Sequence, residues 1–465
     1  MSTRAIFMAM LPEHLLLLGL VLVLISVIVG RAAQAAWLIA LVAVAGAAAA
    51  AAWLALQGGS ASPFPGQFSV TPATLWVKAM VLALALPVLL MARHEFADAT
   101  AEFAALLTSS LYGVCLMQSA DSFLTLFLGL EIMSLPLYAL VLLAWRRPQA
   151  AEAALKYLVL SGAATATLLM GASLLYGATG SLALSAFARA LASHEAVAQT
   201  AAVLIVLAFF LKAAIAPLHG WAPDAYEAAS VPVTAYMATI VKAAVLLAAV
   251  RLFDKVTLAT PMLELLVWLP LLSIVWGNLA AMRQTSLRRL IAYSSIAHAG
   301  YLFYAMLGAP EGRLQAVAFY LVAYGVMNLL AFAALPPADD DGQRDRLDQL
   351  TGMFQRSPFA ALMIGLAMLS LAGIPPLPGF IAKFLIFKNV MAAGHTTYAV
   401  LGLVGSFVGI YFYLRVIQLM FMGGTAVPAS GPTRRSGALA ITASLVCLVA
   451  ALGLALFPGG LLARW

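Results

Sequence analysis

Apolar blocks separated by short polar breaks run from one end of the chain to the other. They fall near 14–30, 33–56, 73–93, 101–119, 122–145, 151–177 and 200–219, and continue near 230–253, 261–282, 287–308, 313–335, 357–393, 397–422 and 437–458. Each is about long enough to cross a hydrocarbon core at a rise of about 1.5 Å per residue. The pattern predicts an all-α integral membrane protein with about fourteen transmembrane helices. The long polar segment 336–356, PPADDDGQRDRLDQLTGMFQR, predicts an exposed loop between the eleventh and twelfth spans.

Composition agrees. The 465 residues are 64% hydrophobic and 9% charged, with a mean hydropathy of +1.02. That is too little polar surface to cover a water-soluble globule. The net charge of +7 needs no nucleic-acid partner, since basic loops on one side of a membrane account for it. One set of alternating loops carries Arg31, Arg93, Arg146, Arg147, Arg283, Arg288, Arg289, Arg344, Arg346, Arg356, Arg434 and Arg435. The other carries Arg4, Arg189, Arg251, Lys255, Arg313 and Arg464. The more basic set is expected to face the cytoplasm, which places both termini on the periplasmic side. Cys115 and Cys447 are isolated in apolar spans, where small core residues are the expectation. Residues 14–30 lack an A-x-A-like site, so no cleavable signal peptide is expected.

Lysines are distributed differently from arginines. Lys156, Lys212, Lys242 and Lys383 fall within apolar spans, and Lys78 and Lys388 nearer span ends. A cation in mid-membrane is costly unless it faces a partner or water, so it marks function by default. A desolvated lysine can also release its proton, which an arginine cannot. Lys242 is roughly 18 Å from either span end and Lys212 roughly 10–18 Å at 1.5 Å per residue, beyond side-chain reach. Lys78 and Lys388 are expected to snorkel. Among the acids, Glu131 lies deep in the fifth span and calls for a buried lysine as partner; Glu102 and Glu264 are closer to span ends.

Two spans are interrupted. In 210-FLKAAIAPLHGW-221, Pro217 removes a backbone donor beside Lys212, whose ammonium is expected to serve the freed carbonyls, and His219 follows as a relay candidate. In 371-LAGIPPLPGFIAKFLIF-387, three prolines and two glycines precede Lys383. Broken spans in comparable places of two halves predict two inverted five-helix repeats, with Lys212 and Lys383 as equivalents and Arg415 placed as Lys242 is. The divisions are 1–100 (three helices), 101–256 (first repeat), 257–425 (second repeat) and 426–465 (a terminal helix).

The runs 130-LEIMSLPLYAL-140, 152-EAALKYLVLSG-162, 171-GASLLYGATGS-181, 216-APLHGWAPDAYEAASVPVTAY-236, 287-LRRLIAYSSIAHAGY-301 and 373-GIPPLPGFIAKF-384 resemble the antiporter-like membrane subunits of bacterial respiratory complex I, the NADH–quinone oxidoreductase, in the subunit N form. The resemblance covers about 70 to 420. It implies a proton-translocating subunit of the bacterial inner membrane, in which Glu131, Lys156, Lys212, Lys242 and Lys383 form a charged axis with His219 beside the first break. It implies an enzyme only in the sense of one subunit of a translocase. NADH, FMN, iron–sulfur clusters and quinone belong to partner subunits and no cofactor to this chain, which has no Cys cluster, nucleotide loop or haem motif. The implied partners are other membrane subunits, lipid and protons. One departure is Arg288-Arg289, where many relatives carry Lys-Arg. The alternatives are a subunit of a multi-subunit Na⁺/H⁺ antiporter or membrane-bound hydrogenase, a non-conducting scaffold, or a quinone site at Trp221, Tyr226 and Tyr236, which are expected instead to be interfacial anchors.

Overall fold

The structure, a computed structural model, describes residues 3–30, 33–96, 99–144, 147–253, 256, 260–336, 345–422 and 437–464. Arg31, Arg146, Lys255, Arg344, Arg434, Arg435 and the acidic run Asp339–Asp341 lie outside them.

The N-terminal part consists of α1 (Thr3–Ala9), α2 (Leu11–Ile28), α3 (Ala33–Leu56), the hairpin β1 (Ala61–Phe64) and β2 (Phe68–Val70), and α4 (Pro72–Glu95). The strands are antiparallel, with Ala61 opposite Val70 and Phe64 opposite Phe68. Thr71 and Thr74 form a capping box that starts α4. This satisfies backbone donors that lipid cannot.

Then come α5 (Thr100–Gln118), α6 (Phe123–Leu142), α7 (Ala150–Thr179), the short α8 (Ala186–Ala192), and the interrupted span α9 (Ala196–Ala213) and α10 (Trp221–Ala228). The next span begins as α11 (Val231–Tyr236), passes through a π-helical segment Met237–Val241, and ends as α12 (Lys242–Leu252). The remainder is α13 (Thr260–Ala281), α14 (Leu287–Tyr304), α15 (Arg313–Ala333), α16 (Met353–Arg356), the second interrupted span α17 (Pro358–Ala372) and α18 (Pro378–Ala392), α19 (Thr396–Met422), α20 (Ala438–Leu456) and α21 (Pro458–Leu462).

Thirteen stretches among the described residues are long and apolar enough to cross a membrane. The α17–α18 pair, each half too short alone, completes the expected fourteen. The chain is a multi-pass helical membrane protein. Its two ends share a face: the Arg464 guanidinium lies 5.0 Å from the Trp76 ring at the start of α4, and Gln315 donates to the Leu462 carbonyl. Arg147, Arg283, Arg289 and Arg346 mark the opposite, basic face.

Burial separates the helices by role. The α11–α12 span is wholly enclosed and α14 and α15 nearly so, whereas α2, α7 and α20 are mostly uncovered. Lys242 and His298 lie on these enclosed helices, where protein and not lipid surrounds them.

Helices α5 and α6 pack with their backbones almost touching. A Cβ on Gly113 would fall onto the backbone of Ile132 and Met133, and one on Gly129 onto that of Met117. Small residues allow such approaches in membranes, where packing and not hydrophobicity drives association. Gly113→Val is expected to cost about 1–3 kcal/mol or more through overpacking, read as a lower unfolding temperature of the chain in detergent.

Candidate functional site

The first break is built by the residues around it. Ala214 adopts a left-handed conformation (φ 61°) and ends α9. Ile215 N–H then returns to the Phe210 carbonyl at 2.9 Å. Ser273 on α13 accepts from Ala216 N–H at 2.8 Å. Trp221 donates its indole N–H to the Leu211 carbonyl at 3.0 Å. So the groups freed by Pro217 are met by a serine and a tryptophan, not by Lys212 as the sequence led us to expect.

Lys212 turns to side chains instead. Its Nζ donates to Ser161 Oγ at 2.7 Å and Ser134 Oγ at 3.1 Å, and lies 3.6 Å from Glu131 Oε1. That carboxylate oxygen accepts the Thr165 hydroxyl at 2.6 Å. The Glu131–Lys212 partnership read from sequence is present, but as a loose pair in which each member has a separate hydroxyl partner. Ser161 and Thr165 stand four residues apart on α7, about one turn, and so share a face.

The second break uses its lysine differently. Gly373, at φ 89°, ends α17 in a conformation that glycine adopts without a Cβ penalty. The carbonyls of Leu371 and Ala372 are left without helical donors, and Lys383 Nζ donates to both at 3.0 Å, as well as to Ser406 Oγ at 2.9 Å. The ammonium also lies 5.5 Å from the Tyr301 ring centroid, within cation–π range. Lys383 therefore does what was expected of Lys212. The two differ in position too: Lys212 closes the first half of its broken span, whereas Lys383 lies five residues inside the second half of its own.

Between them is Lys242, buried at 5% exposure and placed directly after the π-helical segment. It donates to the Ser295 carbonyl at 2.7 Å and contacts the Ser295 hydroxyl. One turn on, His298 is enclosed, with Nδ1 2.8 Å from the Tyr320 hydroxyl and Nε2 3.1 Å from the Tyr413 hydroxyl. Tyr413 also meets Ser294 Oγ at 2.5 Å. His298 shares α14 with Ser295, the partner of Lys242, and its ring lies 5.6 Å from that of Tyr301, which the Lys383 ammonium faces. His298 was not singled out from the sequence, although it lies mid-span in LRRLIAYSSIAHAGY. It carries the same mark as the buried lysines, an ionisable side chain well inside an apolar span.

Lys156 stands apart from this row. Its side chain is 44% exposed and pairs with Glu152 at 2.7 Å and Asp224 at 2.8 Å. Asp224 in turn meets Arg289 at 3.0 Å, and Arg289 meets Glu227 at 2.7 Å. These groups line a cavity of about 520 Å³ at the basic face, together with Arg147 and Asp345. Along α7, Lys156 and Ser161 are separated by roughly 7.5 Å of helix rise, so one helix runs from the cavity to Lys212.

Other expectations change. His219 accepts the Trp276 indole N–H at Nε2, 2.9 Å, and lies edge-on to Tyr293; it faces α13 and makes no bond to Lys212. Arg415 donates to the Met282 carbonyl at 2.7 Å, which closes the end of α13 at the basic face and takes no part in the buried row. Lys78 does not snorkel but is fully buried against Glu13, 2.6 Å away, while Lys388, Glu102 and Glu264 are exposed. Trp221, Tyr226 and Tyr236 are 5%, 1% and 0% exposed and are core residues, not interfacial anchors; Trp221 stacks on Tyr157 at 4.4 Å. Arg288, the departure from Lys-Arg, is buried in a 2.7 Å ion pair with Asp345.

Comparison with known proteins places this arrangement. Residues 120–409 match the family described as NADH:quinone oxidoreductase/Mrp antiporter, TM. The chain is 40% identical over 422 residues to NADH-quinone oxidoreductase subunit N of Pelobacter propionicus, covering 90% of each protein. Among solved structures, it is 35% identical to a chain of respiratory complex I from Thermus thermophilus, with a TM-score of 0.84 and coverage of 97% of this chain and 98% of that one. A chain of the Mrp complex from Dietzia sp. shares the fold at a TM-score of 0.84 and 21% identity, covering 100% of this chain and 96% of that one. The fourteen-span architecture with two broken helices and a mid-membrane row of Glu131, Lys212, Lys242, His298 and Lys383 thus belongs to a member of the NADH:quinone oxidoreductase/Mrp antiporter membrane family, on its NADH-quinone oxidoreductase subunit N branch.

Proposed function

We propose that this chain carries protons across the bacterial inner membrane as one subunit of an NADH–quinone oxidoreductase, with its basic face in the cytoplasm and both ends in the periplasm. NADH, FMN, iron–sulfur clusters and quinone are held by partner subunits, and their electron transfer drives the movement here. The two broken spans belong to inverted repeats, 101–256 and 257–425, flanked by the three-helix segment 1–100 and the terminal helix 426–465.

One observation carries the reading. Four ionisable side chains, Lys212, Lys242, His298 and Lys383, occupy enclosed mid-membrane positions and are each supplied with hydroxyl or carbonyl partners, and of the four Lys383 also braces a helix break. Structural cations would be arginines with fixed carboxylate partners, as Arg288 is.

The contacts support the following order of steps. Protons collect in the cavity at Lys156, Asp224 and Glu227 and pass along α7 to Lys212. The ammonium there is balanced by Glu131 at 3.6 Å. When the carboxylate is drawn away, the ammonium keeps only hydroxyl partners and loses its counter-charge. Its proton moves to Lys242, then to His298, whose two ring nitrogens can accept on one side and donate on the other, and on to Lys383. His219 adjusts the first break from its place against Trp276.

The test is proton pumping driven by NADH in sealed vesicles containing the assembled complex, with Lys212→Ala and Lys212→Arg. Electron transfer to quinone is followed in parallel and assembly on a native gel. Both variants are expected to assemble and oxidise NADH with a lower proton yield. Full yield in both would make the chain a scaffold.

A further inference from the structure

The proposed path leaves one buried acid–base pair unused. Glu13 on α2 and Lys78 on α4 form an ion pair of 2.6 Å with both side chains at 0% exposure. Among the described residues neither carboxylate oxygen nor the ammonium has a further hydrogen-bond partner; the ring of Phe68, 5.0 Å from Nζ, covers the cation. This position is near the face opposite the basic loops, since Glu13 is in the first turn of α2 and Lys78 is six residues into α4. The hairpin residue Phe68 packs there with Ile6 of α1 and Leu75 of α4 and screens the pair from water.

Stability alone does not account for such a pair. Removing two charges from water costs several kcal/mol per ion, and a pair without further hydrogen bonds recovers less than apolar side chains of similar volume would. Within a membrane protein an ionisable residue of this kind marks function by default. Its surroundings are also connected to the row described above. Helix α4 packs against α11, the π-helical segment and α12, the span that carries Lys242. Helix α5 packs against α2, which carries Glu13, and its Ser110 accepts the Tyr236 hydroxyl of α11 at 2.8 Å.

We propose that Glu13 and Lys78 form a second proton-exchanging pair, on the release side of the path and next to the helix of Lys242. The elementary step is transfer of one proton from the Lys78 ammonium to the Glu13 carboxylate, which gives an amine and a carboxylic acid with no change in net charge. Loss of the acid's proton to the outer side leaves one negative charge, and a proton arriving on the amine restores the ion pair. The inference rests on the proton-transport reading and adds an outward station to it.

Three variants of the assembled complex test it in the same vesicle assay, with Lys212→Ala as reference. Lys78→Arg keeps a cation beside Glu13 but cannot release its proton, so the proton yield per NADH is expected to fall as it does with Lys212→Ala, with electron transfer retained. Glu13→Gln is expected to remove a carboxyl C=O band from the infrared difference spectrum between resting and turning-over complex. The double variant Glu13→Leu/Lys78→Met restores apolar packing and is expected to assemble yet lose the same fraction of yield. Full yield in the double variant, or no band assignable to Glu13, would reduce the pair to a clamp between α2 and α4. Full yield in Lys212→Ala would instead overturn the transport reading itself, whatever Glu13 does.

Discussion

Lys383→Met is expected to lower both the proton yield and the stability of the chain, the larger combined effect of any single change in the buried row. The reason is the second break. The Lys383 ammonium donates to the Leu371 and Ala372 carbonyls at 3.0 Å each, and methionine leaves them buried without a donor. A buried acceptor left unmade costs about 1–3 kcal/mol, so the two together are expected to move thermal unfolding visibly. Lys383→Arg separates the roles. A guanidinium still serves the carbonyls and Ser406 but keeps its proton at any working pH, so stability should recover while proton yield does not. The comparison with Lys212 sharpens the point. Lys212 donates to hydroxyls, which without it can still pair by donating their own O–H elsewhere, so Lys212→Ala should reduce pumping with a smaller stability loss. Recovery of pumping by Lys383→Arg would show that the lysine is only a brace for the break.

Asp345→Ala is expected to destabilise the chain by about 3–5 kcal/mol, the range for removing one partner of a buried ion pair. Asp345 and Arg288 are each 1% exposed. The carboxylate also accepts from Ser286 Oγ at 2.8 Å and Arg288 N–H at 2.9 Å, and Arg288 reaches on to the Ala229 carbonyl at 2.7 Å. One carboxylate thus ties the segment after α15 to the start of α14 and to the junction of α10 and α11. Burial by itself would raise the Asp345 pKa, but the charge and hydrogen bonds of Arg288, with Ser286, hold it below the ordinary carboxylate value. A lowered folded-state pKa contributes stability that is complete above the unfolded value of about 3.9 and is lost as pH falls through the folded one. The gap in unfolding temperature between wild type and Asp345→Ala should therefore be full at neutral pH and narrow only in strong acid. Arg346→Ala, at the exposed neighbouring pair with Asp348, should change little; an equal loss there would refute the assignment.

Much of this was readable from residue order. Runs of apolar residues of bilayer length set the number of crossings, because no other secondary structure satisfies the backbone of an isolated span in lipid. Prolines at 217, 375, 376 and 378 located both breaks, because proline cannot donate within a helix. The depth of Lys212, Lys242 and Glu131 also followed, since depth is a count of residues along a rod of known rise.

Partnership was decided elsewhere. Which lysine serves a break, which meets a carboxylate and which stands at a half-exposed mouth depends on the azimuth of each helix and on what the neighbouring helix presents. Neither is encoded in spacing along one segment. Thus Trp221 and Ser273 took the groups freed at the first break, Lys383 took those at the second, and Arg415 closed the end of α13. Lys78 looked like a snorkelling residue only until α2 brought Glu13 against it, and His298 gained its place from Tyr320 on the next helix and Tyr413 on the distant α19. Hydrophobic length fixes where a residue lies along the membrane normal; packing between helices decides what it touches, and in a low-dielectric interior that contact determines whether a charge is a brace or a carrier.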